Sequence, residues 1–296
     1  MQPAFWGASF HDFKSIFLWF KNHHAATFNY YLGSYISARD LPWHYVPVWV
    51  FVTTPISFLF FFCLGVFKTL HKIYIKMDQE QHFDIFMLMG FLIPIFAIIF
   101  SNSTLYDGWR HMFFIYPFIA YFMIKGFIFT SDWMYSYFKL KKDHIVLFLG
   151  VIVFSPTILS IIKTHPNQSV YFNILTGKDP MLSYEGDTWG TSYRQGLEWI
   201  VQNDKRDSIM VSIHNSPGSR NRHMIPINDR KRLHFQFISS PNTLEEIPGD
   251  YFMTNFYGEQ PNLYIKAKNN IPPLDKESFS INTGEMKILG LYDLNN

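Results

Sequence analysis

Four stretches of the chain carry almost no charge over lengths close to the roughly 20 residues that an α-helix needs to cross a hydrocarbon core of about 30 Å. They run from Tyr45 to Phe67, Ile85 to Tyr106, Met112 to Ser131 and Ile145 to Ile162. The only charged residue inside them is Lys125, near the end of its stretch, where a long amine is expected to snorkel to the interface. Ser155-Pro156 marks an expected kink in the fourth. Backbone polar groups in lipid need internal partners, so residues 45–164 are expected to form a bundle of four transmembrane helices.

The charges of the short loops set the expected orientation. Lys68, Lys72 and Lys76 separate the first two stretches, and Lys139, Lys141 and Lys142 separate the last two, whereas Arg110 stands alone between the second and third. The excess of Lys places the first and last of these loops in the cytoplasm. An even number of spans then puts both termini outside, with residues 1–44 and 165–296 on the same outer face. In the first of these segments Phe5, Phe10, Phe13, Phe17 and Phe20 recur at helical spacing, with Asp12 and Lys14 on other faces. That is the pattern of an amphipathic helix, either lying in the interface or packed on the outer ends of the bundle.

Of the 296 residues, 48% are hydrophobic and only 16% charged, yet the mean hydropathy is +0.02. The average conceals a division. Residues 1–164 hold 12 Lys+Arg and 8 Asp+Glu, and residues 165–296 hold 13 and 15. The second part reads as a small α/β domain, extracytoplasmic by the loop argument. A helix is expected over Trp189 to Gln202 and strands over Ser208–His214, Leu233–Ile238, Asp250–Phe256 and Met286–Leu294. The net charge of +2, with no Lys/Arg cluster interleaved with aromatics, speaks against nucleic acid as a partner. Cys63 is the one cysteine, which excludes an intrachain disulfide and a multi-cysteine metal site. The start, Met-Gln-Pro-Ala-Phe-Trp, has no signal-peptide pattern.

Familiar catalytic signatures, Gly-x-Ser-x-Gly, a phosphate-cradling Gly-rich loop and His-Glu-x-x-His, do not occur. Nor does spacing place His214, His223 and His234 on one face, so no metal site is expected. The cluster Leu105-Tyr106-Asp107-Gly108-Trp109-Arg110-His111 instead sits in a short outer loop at headgroup level, where Arg, Asp and His are costly unless used or paired. Arg110 suits a two-pronged grip on a phosphate. The alternative is that Arg110 and Asp107 pair with each other while Trp109 anchors the interface. At the same height, after the fourth span, lies His165-Pro166-Asn167-Gln168-Ser169-Val170-Tyr171-Phe172-Asn173. A third cluster, Asp187 to Arg194, heads the expected helix, with Asp187 or Thr188 as its cap.

Together these segments resemble the C-terminal half of bacterial membrane glycosyltransferases of the dolichyl-phosphate-mannose protein mannosyltransferase type. The stretch Gly33-Ser34-Tyr35, Leu41-Pro42-Trp43-His44-Tyr45-Val46-Pro47-Val48 and Thr53-Thr54-Pro55 is similar to an outer loop and following span of that family. The resemblance implies a GT-C architecture in the bacterial inner membrane and a polyprenyl-phosphate-linked sugar as donor. It also implies acidic residues in a first outer loop, with a possible divalent cation nearby. Only Asp12 and Asp40 are acidic in the leading 43 residues, in segments that match a later loop. The expectation is therefore that the catalytic N-terminal half is absent from this chain or supplied by a separate partner subunit.

On this reading Arg110 and His111 stabilise the departing phosphate, Asp107, Trp109, His165 and Gln168 support the same pocket, and the catalytic base lies elsewhere. The rival from another class is a non-catalytic membrane subunit whose outer domain binds a glycan or a partner protein. A transporter fits less well, because Lys125 is the only ionisable residue inside a span.

Overall fold

The computed structural model describes residues 12, 14, 15, 27–75, 77, 79–238, 247–259 and 262–295. The helix expected over Phe5 to Phe20 falls almost wholly outside them. A hairpin of β1 (Phe28–Tyr31) and β2 (Ser34–Ser37) opens the described chain, followed by α1 (Tyr45–Thr53), α2 (Ile56–Ile75), α3 (Gln79–Ser101), α4 (Tyr116–Phe138) and α5 (Lys142–Thr164). From α2 to α5 these helices are long and apolar enough to cross a membrane, α4 being extended at its start by a 3₁₀ turn over Arg110–Ile115. No more than 28% of any of their apolar windows is buried within the protein, so most of their apolar side chains face outward, as lipid requires.

The first apolar stretch is not one span. It is two helices broken at Thr54-Pro55, and the span runs over Ile56–Ile75 rather than Tyr45 to Phe67. Pro55 has no N–H to give the carbonyl of Phe51, and the residue before a proline is pushed out of the helical region. Thr54 accordingly sits at φ −98°, ψ 135°. Asn173 makes good the loss. Its Nδ2 donates to the carbonyls of Phe51 (2.5 Å) and Thr54 (2.7 Å), and its backbone N–H donates to that of Val52 (2.9 Å). Released from the span, α1 buries Tyr45, Val46, Trp49, Val50 and Val52 in a cluster with Tyr31, Leu105, Trp109 and Tyr184.

Lys125 does not snorkel. Its amine meets the carboxylate of Asp84, 2.5 Å away on α3, which is fully buried and also accepts from the Tyr121 hydroxyl. Two unpaired charges at this depth would be costly, and their pairing is what makes both tolerable. The spans touch most closely where α2 crosses α4. A Cβ on Gly65 would fall inside van der Waals contact of the Phe122 carbonyl, and one on Gly126 would do the same at Phe61. Small residues at such a crossing let two backbones approach, which is how helices associate when lipid offers no hydrophobic drive.

The region that follows α5 is a three-layer α/β unit. Its mixed sheet has the order β4 (Leu233–Phe237), β3 (Ile209–Ile213), β5 (Tyr251–Thr254), β7 (Met286–Asp293), β6 (Glu277–Thr283). The pairs β3/β4 and β3/β5 are parallel, and β5/β7 and β6/β7 antiparallel. Alternate residues serve opposite faces. Met253, Leu289 and Leu291 pack under α6 (Tyr193–Asn203), whereas Phe252, Ile288 and Tyr292 pack with Val170, Met181 and α7 (Asn262–Lys268). All four expected strands are present within a residue or two of their expected ends. β6 and the β1–β2 hairpin were not foreseen.

Asn173→Ala leaves the carbonyls of Phe51 and Thr54 without their partner in a buried position. We expect a loss of roughly 2–4 kcal/mol from the two missing bonds, read as a lowered Tm of the detergent-solubilised protein. An unchanged Tm would mean that water serves these carbonyls equally well.

Candidate functional site

The loop joining α3 to the 3₁₀ turn is held by residues far away in sequence. Asn29 Nδ2 donates to the Leu105 carbonyl (2.9 Å), Tyr45 Oη to the Gly108 carbonyl (3.2 Å) and Trp109 Nε1 to Thr53 Oγ1 (3.0 Å). Asp107 and Gly108 both take left-handed backbone, φ +55° and +70°, which Asp tolerates and Gly favours. This tight turn brings Asp107 round to face Arg110.

Between this loop, α1 and residues 168–189 opens a cleft of about 230 Å³ at one end of the spans. Asp107, Trp109, Arg110, Gln168, Glu185 and Trp189 all line it. Asp107 Oδ2 lies 3.0 Å from the Arg110 guanidinium, and its Oδ1 accepts from Tyr257 Oη at 2.6 Å. The guanidinium lies over two rings, 4.6 Å from the centroid of Tyr106 and 5.0 Å from that of Trp189. Two such contacts restrain the group while leaving it partly open.

The six residues singled out by sequence divide in two. Asp107, Trp109, Arg110 and Gln168 converge on the cleft. His111 does not line it, and packs edge-on against Tyr106 at 4.8 Å, exposed. His165 is also exposed and reaches the cleft only through Gln168, whose Nε2 is 2.8 Å from His165 Nδ1. Trp109 is 97% buried, so its ring serves the packing of the loop on α1 rather than anchoring in lipid. The Asp107–Arg110 pair, the alternative weighed above, is formed. Asp187 accepts from the backbone N–H groups of Thr191 (2.9 Å) and Ser192 (2.8 Å), placing an anion at the start of α6. Arg194 is spent on an exposed pair with Glu198.

Sequence reasoning missed Glu185. Its carboxyl is 3% exposed, and Oε1 accepts from the Tyr30 backbone N–H at 3.0 Å. Its second oxygen, Oε2, has no hydrogen-bond partner among the described residues. Burial pushes its pKa up to about 8, and the Asp107 charge pushes the same way against the opposing pull of the Tyr30 and Gly108 amides and of Arg110. The neighbouring phenols of Tyr257 and Tyr45 are raised as well, first by burial and then by the proximity of Glu185. Nothing local in Ser183-Tyr184-Glu185-Gly186 announces a buried acid, because the group that buries it is a hairpin some 150 residues earlier in the chain.

Among the described residues no group of three or more His, Cys, Asp or Glu converges as metal ligands. Asp107 and Glu185 are the two carboxyls of the cleft, and they do not suit a divalent cation. The first is already matched by Arg110 and Tyr257, and the second holds a proton until about pH 8. His214 faces Glu259 at 3.7 Å, away from this cleft. No family model, curated protein or solved structure matches the chain.

The raised pKa of Glu185 is linked to stability. In the unfolded chain the carboxyl titrates at roughly 4.3, and in the fold at about 8. Between these values the folded state keeps a proton that the unfolded state has released, so stability falls as pH rises through the interval. Glu185→Gln removes this contribution. The Tm of the wild type is expected to drop more between pH 5 and pH 8 than that of the variant, and parallel profiles would show that Glu185 ionises as an ordinary carboxylate.

Proposed function

We propose that this chain is a membrane glycosyltransferase unit, the counterpart of the C-terminal half of a GT-C enzyme, acting at the outer face of a bacterial inner membrane. The donor is a polyprenyl-phosphate-linked sugar, and residues 165–296 are extracytoplasmic. The observation that carries this reading is the continuity between a cationic cleft and an apolar groove. Tyr171 and Phe172 line the cleft of Arg110 and also a groove of about 730 Å³ between α2 and α5, walled by Ile56, Phe60, Leu149 and Ile152. A phosphorylated lipid has this shape, with a charged head at the membrane boundary and an isoprenoid chain alongside the helices.

In such a transfer the acceptor oxygen forms a bond to the anomeric carbon as the bond to the phosphate oxygen breaks, and the phosphate departs with the electron pair. Arg110 opposes the negative charge that develops there, with the Gln168 amide as a second donor. Asp107 and the rings of Tyr106 and Trp189 keep the guanidinium in place. A separate N-terminal half or partner subunit supplies the base. The second reading, a non-catalytic membrane subunit that binds a glycan or a protein, draws support from the same two carboxyls. Asp107 is committed to Arg110 and Tyr257 and Glu185 is protonated at neutral pH, so neither is poised as a base.

Binding of a short-chain polyprenyl-phosphate hexose to the purified protein tests the donor reading. Loss of a charge-assisted hydrogen bond costs roughly 1.5–3 kcal/mol, so Arg110→Ala is expected to weaken binding about 10- to 100-fold, with Arg110→Lys between the two. Arg194→Ala, altering only an exposed pair, leaves it unchanged. Equal affinity of Arg110→Ala and wild type would overturn the assignment. The orientation has its own check. A cysteine placed at Ser219, in the outer α/β unit, is expected to react with a membrane-impermeant maleimide in intact cells, whereas Cys63, in the middle of α2, does not. Labelling at 219 only after lysis would reverse the orientation.

A further inference from the structure

A separate cleft of about 260 Å³ lies between the last turn of α5, the 3₁₀ turn Ile174–Thr176 and the turn that joins β6 to β7. All of its walls belong to residues 142–238 and 262–295, two stretches described without a break. Two amines line it, Lys163 from α5 and Lys178 from the segment after the 3₁₀ turn. No carboxylate of the described residues pairs with Lys163, and Lys178 approaches Glu285 at 4.0 Å with both side chains largely exposed. Glu285 is the only acid among the lining residues, so the cleft has one more cation than anion. Ser160 and Thr283 add hydroxyls to its walls.

Beside these amines two aliphatic side chains are held outward. Ile174 is 81% exposed and Leu175 59%, on a turn that is tied down from within. Asn173 Oδ1 accepts from the Leu175 N–H (2.9 Å), and the Asn173 carbonyl accepts from Thr176 Oγ1 (2.9 Å). The amide of the same side chain donates to the carbonyls of Phe51 and Thr54, at the break just before α2. Ile174 and Leu175 therefore stand close to the level at which α2 begins and α5 ends, the edge of the hydrocarbon. Ile174 also walls the apolar groove between α2 and α5. Aliphatic side chains fixed in this position meet lipid chains at no cost and water at a considerable one.

We infer that this cleft binds an anionic phospholipid of the surrounding bilayer, its phosphate held by Lys163 and Lys178 and an acyl chain lying over Ile174 and Leu175. A phosphate diester offers acceptor oxygens and a negative charge to both amines, and the site has the amines at the membrane boundary with the aliphatic surface next to them. A zwitterionic lipid would bring its own cation against the two lysines. A free phosphate would leave Ile174 and Leu175 facing water. The cleft shares with that of Arg110 only Tyr171 and Phe172, and the inference holds whether or not the cleft of Arg110 takes a lipid-linked donor.

The full chain, purified in detergent, is equilibrated with equimolar phosphatidylglycerol and phosphatidylcholine, and the lipid it retains is counted by native mass spectrometry. Preferential retention of phosphatidylglycerol is expected. One amine at a membrane surface is worth about fivefold in affinity for anionic lipid, so Lys163→Gln and Lys178→Gln should each lower the preference about fivefold at unchanged Tm. Lys163→Arg should keep it, and Glu285→Gln, which removes the opposing charge, should raise it. Leu175→Ser should weaken retention of both lipids. Lys205→Gln, outside the cleft, should change nothing. The difference between wild type and each variant isolates this cleft from the Lys-rich loops at the other end of the spans. Equal retention of the two lipids, a preference indifferent to both lysine substitutions, or displacement of the bound lipid by millimolar inorganic phosphate would overturn the inference. Arg110→Ala leaves the preference intact, and its loss of polyprenyl-phosphate hexose binding tests the other cleft alone.

Discussion

The missing N–H of Pro55 governs the arrangement of everything outside the spans. It leaves the carbonyl of Phe51 without a helical donor and forces Thr54 to an extended conformation, so α1 ends there and α2 begins afresh. A buried carbonyl has to be answered, and the answer comes from Asn173, about 120 residues further along. That single side chain ties the segment after the last span to the helix before the first. With α1 freed from the span direction, Trp49 and Thr53 lie where they can hold Trp109, and the Asp107-Gly108 turn is fixed from below.

The charged groups of the site follow from this scaffold through satisfaction of one another. Asp107 stands between Arg110 and Tyr257, Arg110 lies against two rings, and Tyr257 comes from the segment just after β5. The carboxylate and guanidinium share one loop while the phenol reaches them from the five-stranded sheet, which favours a defined cleft over a collapsed surface cluster. Glu185 is the exception in its neighbourhood. It has the amides of Tyr30 and Gly108 beside it but almost no water, and the raised pKa is the fold's response to an acid that cannot be fully solvated or fully paired.

How much of this the sequence discloses depends on the range of the forces involved. Long uncharged stretches and alternating strands are local patterns, so the number of spans is legible, with ends displaced by up to eleven residues, and the strands at 209–213, 233–237, 251–254 and 286–293 are legible within one or two. Hydropathy treats Pro55 as one more apolar residue, which merges α1 with α2. The β1–β2 hairpin turns at Leu32-Gly33, with φ +51° and +80°, and Leu in place of the usual Asn or Asp conceals the turn. β6, Glu-Ser-Phe-Ser-Ile-Asn-Thr, is a half-exposed edge strand whose polar residues read as loop. Lys125 looks solitary only because its partner Asp84 lies one residue outside the apolar stretch that precedes it.

The candidate site shows the same division more sharply. Arg110 and Asp107 are visible in the sequence because charge next to a membrane span is itself improbable without a use, and the short loop guarantees that they are neighbours. His111 and His165 are drawn in by that same proximity, yet the 3₁₀ turn at Arg110–Ile115 points Arg110 and Phe113 into the cleft and His111 away from it, and His165 stays exposed beside Gln168. Glu185, Tyr30 and Tyr257 belong to three separate segments and meet only because Asn173, the bridge between Tyr31 and Tyr184, and the five-stranded sheet bring them together. A buried acid of this kind has no local signature, since both its burial and its amide partners come from segments remote in sequence.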